Sequence, residues 1–281
     1  MTAAELLRRA IDRFRKLPGA DPFLEARVLL RRMAGLTDLD IFAYPDRPVE
    51  PAVSRRFLRA VDERLSRRPL AHILGEKEFW SIPMTVTPAV LIPRPETELL
   101  VEQALARLAA AEPLIIEIGT GSGCVAVALA KELPGARVFA TDISRRALRL
   151  AEANAARHGA RNIRFLAGDM FGALRDAKLE GRADLIVSNP PYVAAKEWEA
   201  LAPEVRDHEP RRALVAGPTG LETIRRLASG AGRYLAPGGL VLVEFGAGQA
   251  AAVRRLFGPP WKNRETINDL SGRPRVLAAS R

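Results

Sequence analysis

The sequence predicts an α/β protein: a mostly parallel sheet with an antiparallel C-terminal hairpin, preceded by a small all-α bundle. Three observations carry this. Residues 1–70 hold only helix-period patterns. From Leu114 onward, apolar runs of six or seven residues alternate with helical stretches. Those runs lack the apolar–polar alternation of a half-exposed strand, as expected for strands buried on both faces.

The elements follow in chain order. Leu6, Leu7, Ala10, Ile11 and Phe14 recur at helical spacing. Asp21-Pro22 predicts a helix start, a capping acid followed by proline in the first turn. Leu24, Val28, Leu29 and Met33 then form a stripe that Gly35 ends, and a third helix runs from near Pro51 through Phe57, Leu58, Val61 and Leu65. Residues 71–95 mix β-favouring side chains with four prolines after the helical run and predict a hairpin or extended linker. Residues 96–281 form the second domain, opening with a helix from Glu96 to Leu108. Its strands are 114–119, 137–142, 163–168, 183–188 and 239–245, and such a series implies parallel pairing with right-handed crossovers. NRETINDL and RPRVLAAS flank Ser271-Gly272 and predict an antiparallel hairpin at the sheet edge.

Composition narrows the class. The hydrophobic fraction of 48% over 281 residues supports a packed globule. No apolar run reaches the length of a membrane span, and the charged, helix-patterned N-terminus is not a secretory signal. One cysteine, Cys124, builds no disulfide framework and fits a reducing cytoplasm. Three dispersed histidines, His72, His158 and His208, lack ligand spacing, so no metal site is expected. The net charge is +10, with 15 Lys/Arg against 10 Asp/Glu in residues 1–75. A basic surface favours an acidic or RNA-containing partner, but an Arg-rich composition alone selects neither.

The chemistry sits at strand ends. The first strand runs into EIGTGSG, residues 117–123, where Gly119, Gly121 and Gly123 let the backbone turn and approach a ligand beside Thr120 and Ser122. The spacing is not that of a dinucleotide fold, and no Lys-Ser/Thr pair follows for a phosphate loop. The second strand ends at Asp142, 23 residues after Gly119. An acid there can hold both hydroxyls of a ribose, or simply cap the next helix. Asp169 ends the third strand, where it can accept from an adenine amino group, and Phe171 can cover the ring. The fourth strand runs into Asn189-Pro190-Pro191-Tyr192. Consecutive prolines fix two φ angles and remove two N–H donors, leaving an acceptor-rich turn. Four such ends share the carboxyl edge of one sheet, where open α/β folds bind ligands.

At these residues the chain resembles the class I S-adenosylmethionine-dependent methyltransferases, with their Rossmann-like sheet. GTGSG, Asp142, Asp169 and NPPY stand in that family's order, and NPPY narrows the resemblance to enzymes that methylate a planar amino or amide nitrogen. VLIPRPETE (90–98), HEPRRALVAGPTGL (208–221), LVEFGAGQ (242–249) and DLSGRPRV (269–276) extend it across nearly the whole chain to the PrmC/HemK family of release factor glutamine N5-methyltransferases. The resemblance implies S-adenosylmethionine as cofactor, peptide-chain release factors as substrates, and residues 1–70 as the docking domain. No stable nucleic-acid partner and no membrane are expected, and a cytoplasmic monomer is. Asn189, Pro190 and Tyr192 are the expected catalytic residues, with Pro191 in the substrate frame. The Asn189 side-chain oxygen and Pro190 carbonyl each accept an N–H, and Tyr192 packs on the flat group. Glu117, the five residues 119–123, Asp142, Asp169, Phe171 and Asn189 are expected at the cofactor. Glu117 departs from the Asp the family often carries, and no general base is assigned. Arg94, Glu98 and His208 receive no definite role. The alternatives are a ribosomal-protein glutamine methyltransferase, a nucleic-acid adenine-N6 methyltransferase, which ordinarily needs a recognition module and room for a flipped base, and a noncatalytic RNA- or ribosome-binding module.

Overall fold

In the computed structural model, which describes residues 1–281, Thr2 opens the first helix with a reciprocal capping box: its side chain accepts from Glu5 N–H while the Glu5 carboxylate takes Thr2 N–H. Helix α1 (Ala3–Phe14) turns Leu6, Ala10 and Phe14 fully inward. Asp21 caps α2 (Pro22–Ala34) by accepting Leu24 N–H at 3.0 Å, and Gly35 closes it in the left-handed conformation at φ 63°. A short α3 (Asp38–Ala43) and α4 (Pro51–Leu65) follow, then α5 (Leu70–Leu74). Phe57 and Val61 of α4 meet Leu29 and Leu30 in one apolar core.

This helical unit comprises Met1–Glu76 and also Ala202–His208. The helical unit thus runs past the expected boundary at residue 70. Residues 70–74 are still helical, and Arg32 pairs with Glu76. The later segment belongs here because Arg64, only 5% exposed, divides its guanidinium between Glu25 at 2.7 Å and Glu204 at 3.0 Å. A buried arginine needs such partners to offset its lost hydration.

The second unit comprises Lys77–Leu201 and Glu209–Arg281. Strands β1 (Glu76–Phe79) and β2 (Ile82–Thr85) form a hairpin narrower than the window 71–95 read from the sequence. Its turn residues Trp80 and Ser81 both have positive φ, 53° and 56°, as a two-residue primed turn requires. Two carboxylates hold the turn: Trp80 N–H donates to Glu98 and Trp80 Nε1–H to Glu132, each at 2.7 Å. A 3₁₀ turn, Pro95–Thr97, leads into α6 (Glu98–Arg107).

The main sheet is built from β3 (Leu114–Ile118), β4 (Arg137–Asp142), β5 (Ile163–Ala167), β6 (Ala183–Ser188), β9 (Leu235–Glu244), β10 (Lys262–Asn268) and β11 (Pro274–Ser280). Between these strands lie α7 (Cys124–Glu132), α8 (Arg145–Arg157), the two-residue β7 (Val193–Ala194), α9 (Pro203–Arg206), β8 (Val215–Gly217), α10 (Glu222–Gly230) and α11 (Ala250–Leu256). The order across the sheet is β10-β11-β9-β6-β3-β4-β5, with β11 antiparallel to β9 and to β10 and the other pairs parallel. The predicted α/β class and its C-terminal hairpin are both present. Each face has its own core. Ile115, Leu185 and Val187 face Val125 and Leu129 of α7, while Ile116 and Ile186 face Ile224 and Leu227 of α10. Strand β9 starts earlier than expected because Leu235 pairs with Ala183 ahead of a shift in register, within which Gly239 approaches β6 so closely that a Cβ would stand 2.7 Å from the Ala183 carbonyl oxygen.

The chain proceeds outward from β3 to β5 and then returns to β6 on the other side of β3. That reversal leaves a crevice at the carboxyl ends of the strands. Asn154, fully buried on α8, fastens the hairpin beside it. It takes Thr85 N–H at 2.9 Å and gives its own amide protons to the carbonyls of Thr85 at 3.0 Å and Ser122 at 2.9 Å. Replacing Asn154 with Ala leaves these groups unpaired, and we expect a loss of about 1–3 kcal/mol for each one not reached by water. Urea denaturation measures it; an unchanged midpoint refutes the tie.

Candidate active site

A cavity of about 520 Å³ opens at the carboxyl ends of β3, β4, β5 and β6. Two backbone donors shape its floor. Gly119 and Thr120 N–H both reach the Thr141 carbonyl at 2.9 Å, which turns the glycine loop over the end of β4. Gly119 and Gly121 hold φ of 79° and 57°, a region that side-chain-bearing residues avoid.

Two acids stand on this floor. Glu117 is 3% exposed and takes the Thr120 hydroxyl proton at 2.5 Å. Burial pushes its carboxyl up to about 7, against the Thr120 hydrogen bond and helped by neighbouring Asp142. Asp142 accepts Gly121 N–H at 2.9 Å and Ser144 N–H at 2.8 Å, yet burial still raises its pKa. A cationic guest restores the ionised form of such carboxylates. The cavity thus fits S-adenosylmethionine, whose ammonium and sulfonium are cationic and whose ribose offers two hydroxyls. Its volume lies in the range of small-molecule sites.

The structure sorts the expected residues. Glu117, Gly119, Thr120, Gly121, Ser122, Asp142, Asp169, Asn189, Pro190 and Pro191 all line the cavity. Gly123 does not. It begins α7 at φ 82°, and a Cβ there would stand 2.9 Å from the Cβ of Ala151, so this glycine serves helix packing. Phe171 is also displaced from its expected place over the adenine. Its ring stacks on Tyr234 at 5.1 Å and 11°, and Met170 lines the wall instead. Tyr192, half-buried, packs against the core, with its hydroxyl 3.5 Å from Glu244 Oε1 and its carbonyl holding Gln249 Nε2 at 2.9 Å. Asp169 reaches the cavity, but Arg226 Nη2 already holds it at 2.6 Å. Cys124 also lines the wall, and burial raises its thiol to about 12, which makes it a packing residue.

Residues not assigned from the sequence complete the site. Asn189 Nδ2 donates to Thr97 Oγ1 at 2.9 Å, and the Thr97 hydroxyl donates to Glu244 Oε2 at 2.7 Å. Both lie within stretches that carry the family resemblance, but nothing local marks them as partners of Asn189. Arg94 donates to Glu209 at 2.5 Å, and the same carboxylate takes Ile92 N–H at 2.9 Å, fixing the 92–94 stretch along the wall. Glu98 serves the hairpin turn instead. Exposed Ile143 and Arg212 also line the cavity.

Known proteins match at several levels. The family description "PrmC N-terminal domain" matches residues 5–75 and "Methyltransferase small domain" matches 95–207. The release factor glutamine methyltransferase of Chlorobaculum tepidum is 41% identical over 284 aligned positions, covering 99% of this chain and 96% of that protein. Its counterpart from Nitratidesulfovibrio vulgaris is 42% identical over 284 positions, covering 100% and 95%. A methyltransferase structure from Pyrococcus furiosus superposes with a TM-score of 0.53, covering 82% of this chain and 98% of that one; at 17% identity it bears on the fold alone. No helix is long and apolar enough to cross a membrane.

Glu117 binds its proton more tightly when folded than at its ordinary value of 4.5. Its contribution to stability is therefore full below pH 4.5 and is lost as the pH rises through about 7. Glu117→Gln removes that dependence. Without cofactor, the melting temperature of the variant should gain on wild type as the pH rises across this interval. Calorimetric curves that stay parallel refute the assignment.

Proposed function

The chain belongs to the release factor glutamine methyltransferase family, and from that footing we infer that it transfers a methyl group from S-adenosylmethionine to the side-chain amide nitrogen of the glutamine in the Gly-Gly-Gln loop of a peptide-chain release factor. The observation that carries the reading is the Asn189 amide. Its NH2 is committed to Thr97, so Oδ1 is left as the acceptor beside two prolines that offer no N–H.

An amide nitrogen is a poor nucleophile because its lone pair is delocalised into the carbonyl. The protein's task is to aim that nitrogen. Asn189 Oδ1 accepts one of its protons and the Pro190 carbonyl the other, which leaves the lone pair perpendicular to the amide plane. When bound, S-adenosylmethionine supplies a methyl group already activated on a sulfonium. Glu117 holds its amino group, Asp142 its ribose hydroxyls, and Asp169, shared with Arg226, its adenine amino group. Catalysis then rests on positioning and electrostatics, and the proton lost from nitrogen leaves to water. The helical unit, which matches the PrmC N-terminal domain description, is the part we assign to docking the body of the release factor. All of the groups invoked belong to one chain, so a monomer suffices.

The test offers labelled cofactor with release factor, ribosomal protein and DNA, and locates the methyl by mass spectrometry. Label on the Gly-Gly-Gln glutamine is expected; label confined to adenine or to a ribosomal protein overturns the reading. Asn189→Ala should lower turnover by about 10²–10³, as for loss of one preorganised polar contact. Cofactor affinity, read by calorimetry, should change little. Near-normal turnover contradicts the amide frame.

A further inference from the structure

We propose that Thr97 and Glu244 are positioning residues that fix which end of the Asn189 amide faces the substrate. The proposal rests on the reading of Asn189 as the acceptor for the glutamine NH2, and it adds what makes Asn189 an acceptor there.

An asparagine amide has nearly the same shape in its two flipped orientations, but one end accepts and the other donates. Facing a substrate NH2, the wrong orientation sets donor against donor. Something outside the amide must choose. Two side chains from distant parts of the sequence make that choice. Glu244 is the last residue of β9 and is 1% exposed. Thr97 ends the 3₁₀ turn before α6 and is 3% exposed. Asn189 follows β6 and lines the cavity with Thr97.

The direction of the chain follows from proton counting. Above about pH 7, where buried Glu244 is ionised, its carboxylate has no proton to give. The Thr97 hydroxyl has one, and it goes to Glu244 Oε2 at 2.7 Å. The Thr97 oxygen can then only accept from the amide, and Asn189 meets it with Nδ2 at 2.9 Å. Oδ1 is thereby turned the other way. The carboxylate is itself braced: Tyr192 Oη stands 3.5 Å from Oε1, and the Arg275 guanidinium lowers the cost of its charge. Gly246 fits closely under Tyr192, where a Cβ would lie 3.0 Å from Cδ2. The bracing also explains why Tyr192 packs against the core and does not line the cavity wall.

The experiment uses the full chain with S-adenosylmethionine and intact release factor. Thr97→Val keeps the shape and removes the hydroxyl, while Thr97→Ser keeps the hydroxyl. We expect Thr97→Val to lower kcat about tenfold, the worth of one hydrogen bond, with cofactor affinity unchanged by calorimetry. We expect Thr97→Ser to retain most of the wild-type rate. A second readout does not depend on turnover. In the 15N-labelled protein, the side-chain NH2 of Asn189 should show one proton protected from exchange, lost in Thr97→Val and kept in Thr97→Ser. If Thr97→Val fails to fold, Glu244→Gln serves in its place, because its amide can donate to Thr97 and release the hydroxyl proton toward Asn189; the same loss of rate and protection is expected. Equal impairment of the valine and serine variants means packing alone and overturns the proposal. So does wild-type turnover in Thr97→Val while Asn189→Ala is inactive, an outcome that leaves the reading of Asn189 standing. An active Asn189→Ala removes that reading and the proposal with it.

Discussion

Gly119 and Thr120 send their N–H groups to a single acceptor, the Thr141 carbonyl, and the site is built on that convergence. The strand order reverses at β3, with β4 on one side and β6 on the other, which opens a gap at the carboxyl ends of the strands. Binding both donors to one oxygen draws the glycine loop across the gap. Glu117 and Asp142 then face one cavity, and the loop's own Gly121 N–H becomes a ligand of Asp142. A residue with a side chain at Gly119 or Gly121 would strain the positive φ that this turn requires.

The two acidic groups most deeply placed around the site resist their own ionisation. Glu117 and Glu244 are each raised to about 7, burial being the main cause in both. Their neighbours differ. Glu117 faces a cavity and has Asp142 beside it, which adds to the shift that burial causes. Glu244 lies behind the wall and is relieved internally, by Thr97 and Arg275. One acid thus opens on the cavity, while the other is partnered inside the protein.

Much of the fold was legible because its strands are mostly apolar and its helices carry clear stripes. Arg137–Asp142 and Ala183–Ser188 stand where the sequence places them. Helices α3 and α5 and the β7–β8 pair were not foreseen, since six residues or fewer hold too little of a period. The polar residues at strand ends were also legible, because strand termini mark a shared edge. What a side chain packs against was not. Phe171, Tyr192 and Gly123 were expected at the ligands, yet the structure packs them against Tyr234, Glu244 and Ala151. Thr97 and Glu244 lie 147 positions apart, and only the crossing of α6 behind β6 and β9 makes them partners.

The segment Ala202–His208 gives the chain an unusual inheritance. It is encoded between Pro190-Pro191 and the Glu209 that fixes the cavity wall, yet its Glu204 answers Arg64 of the helical unit. A single recombination event near residue 76 would therefore separate a buried arginine from one of its two carboxylates. Exchange of the helical unit between related proteins demands a matched change more than a hundred codons downstream. Change in the helical unit is thereby tied to a segment encoded far along the chain, one ion pair acting as the common heirloom.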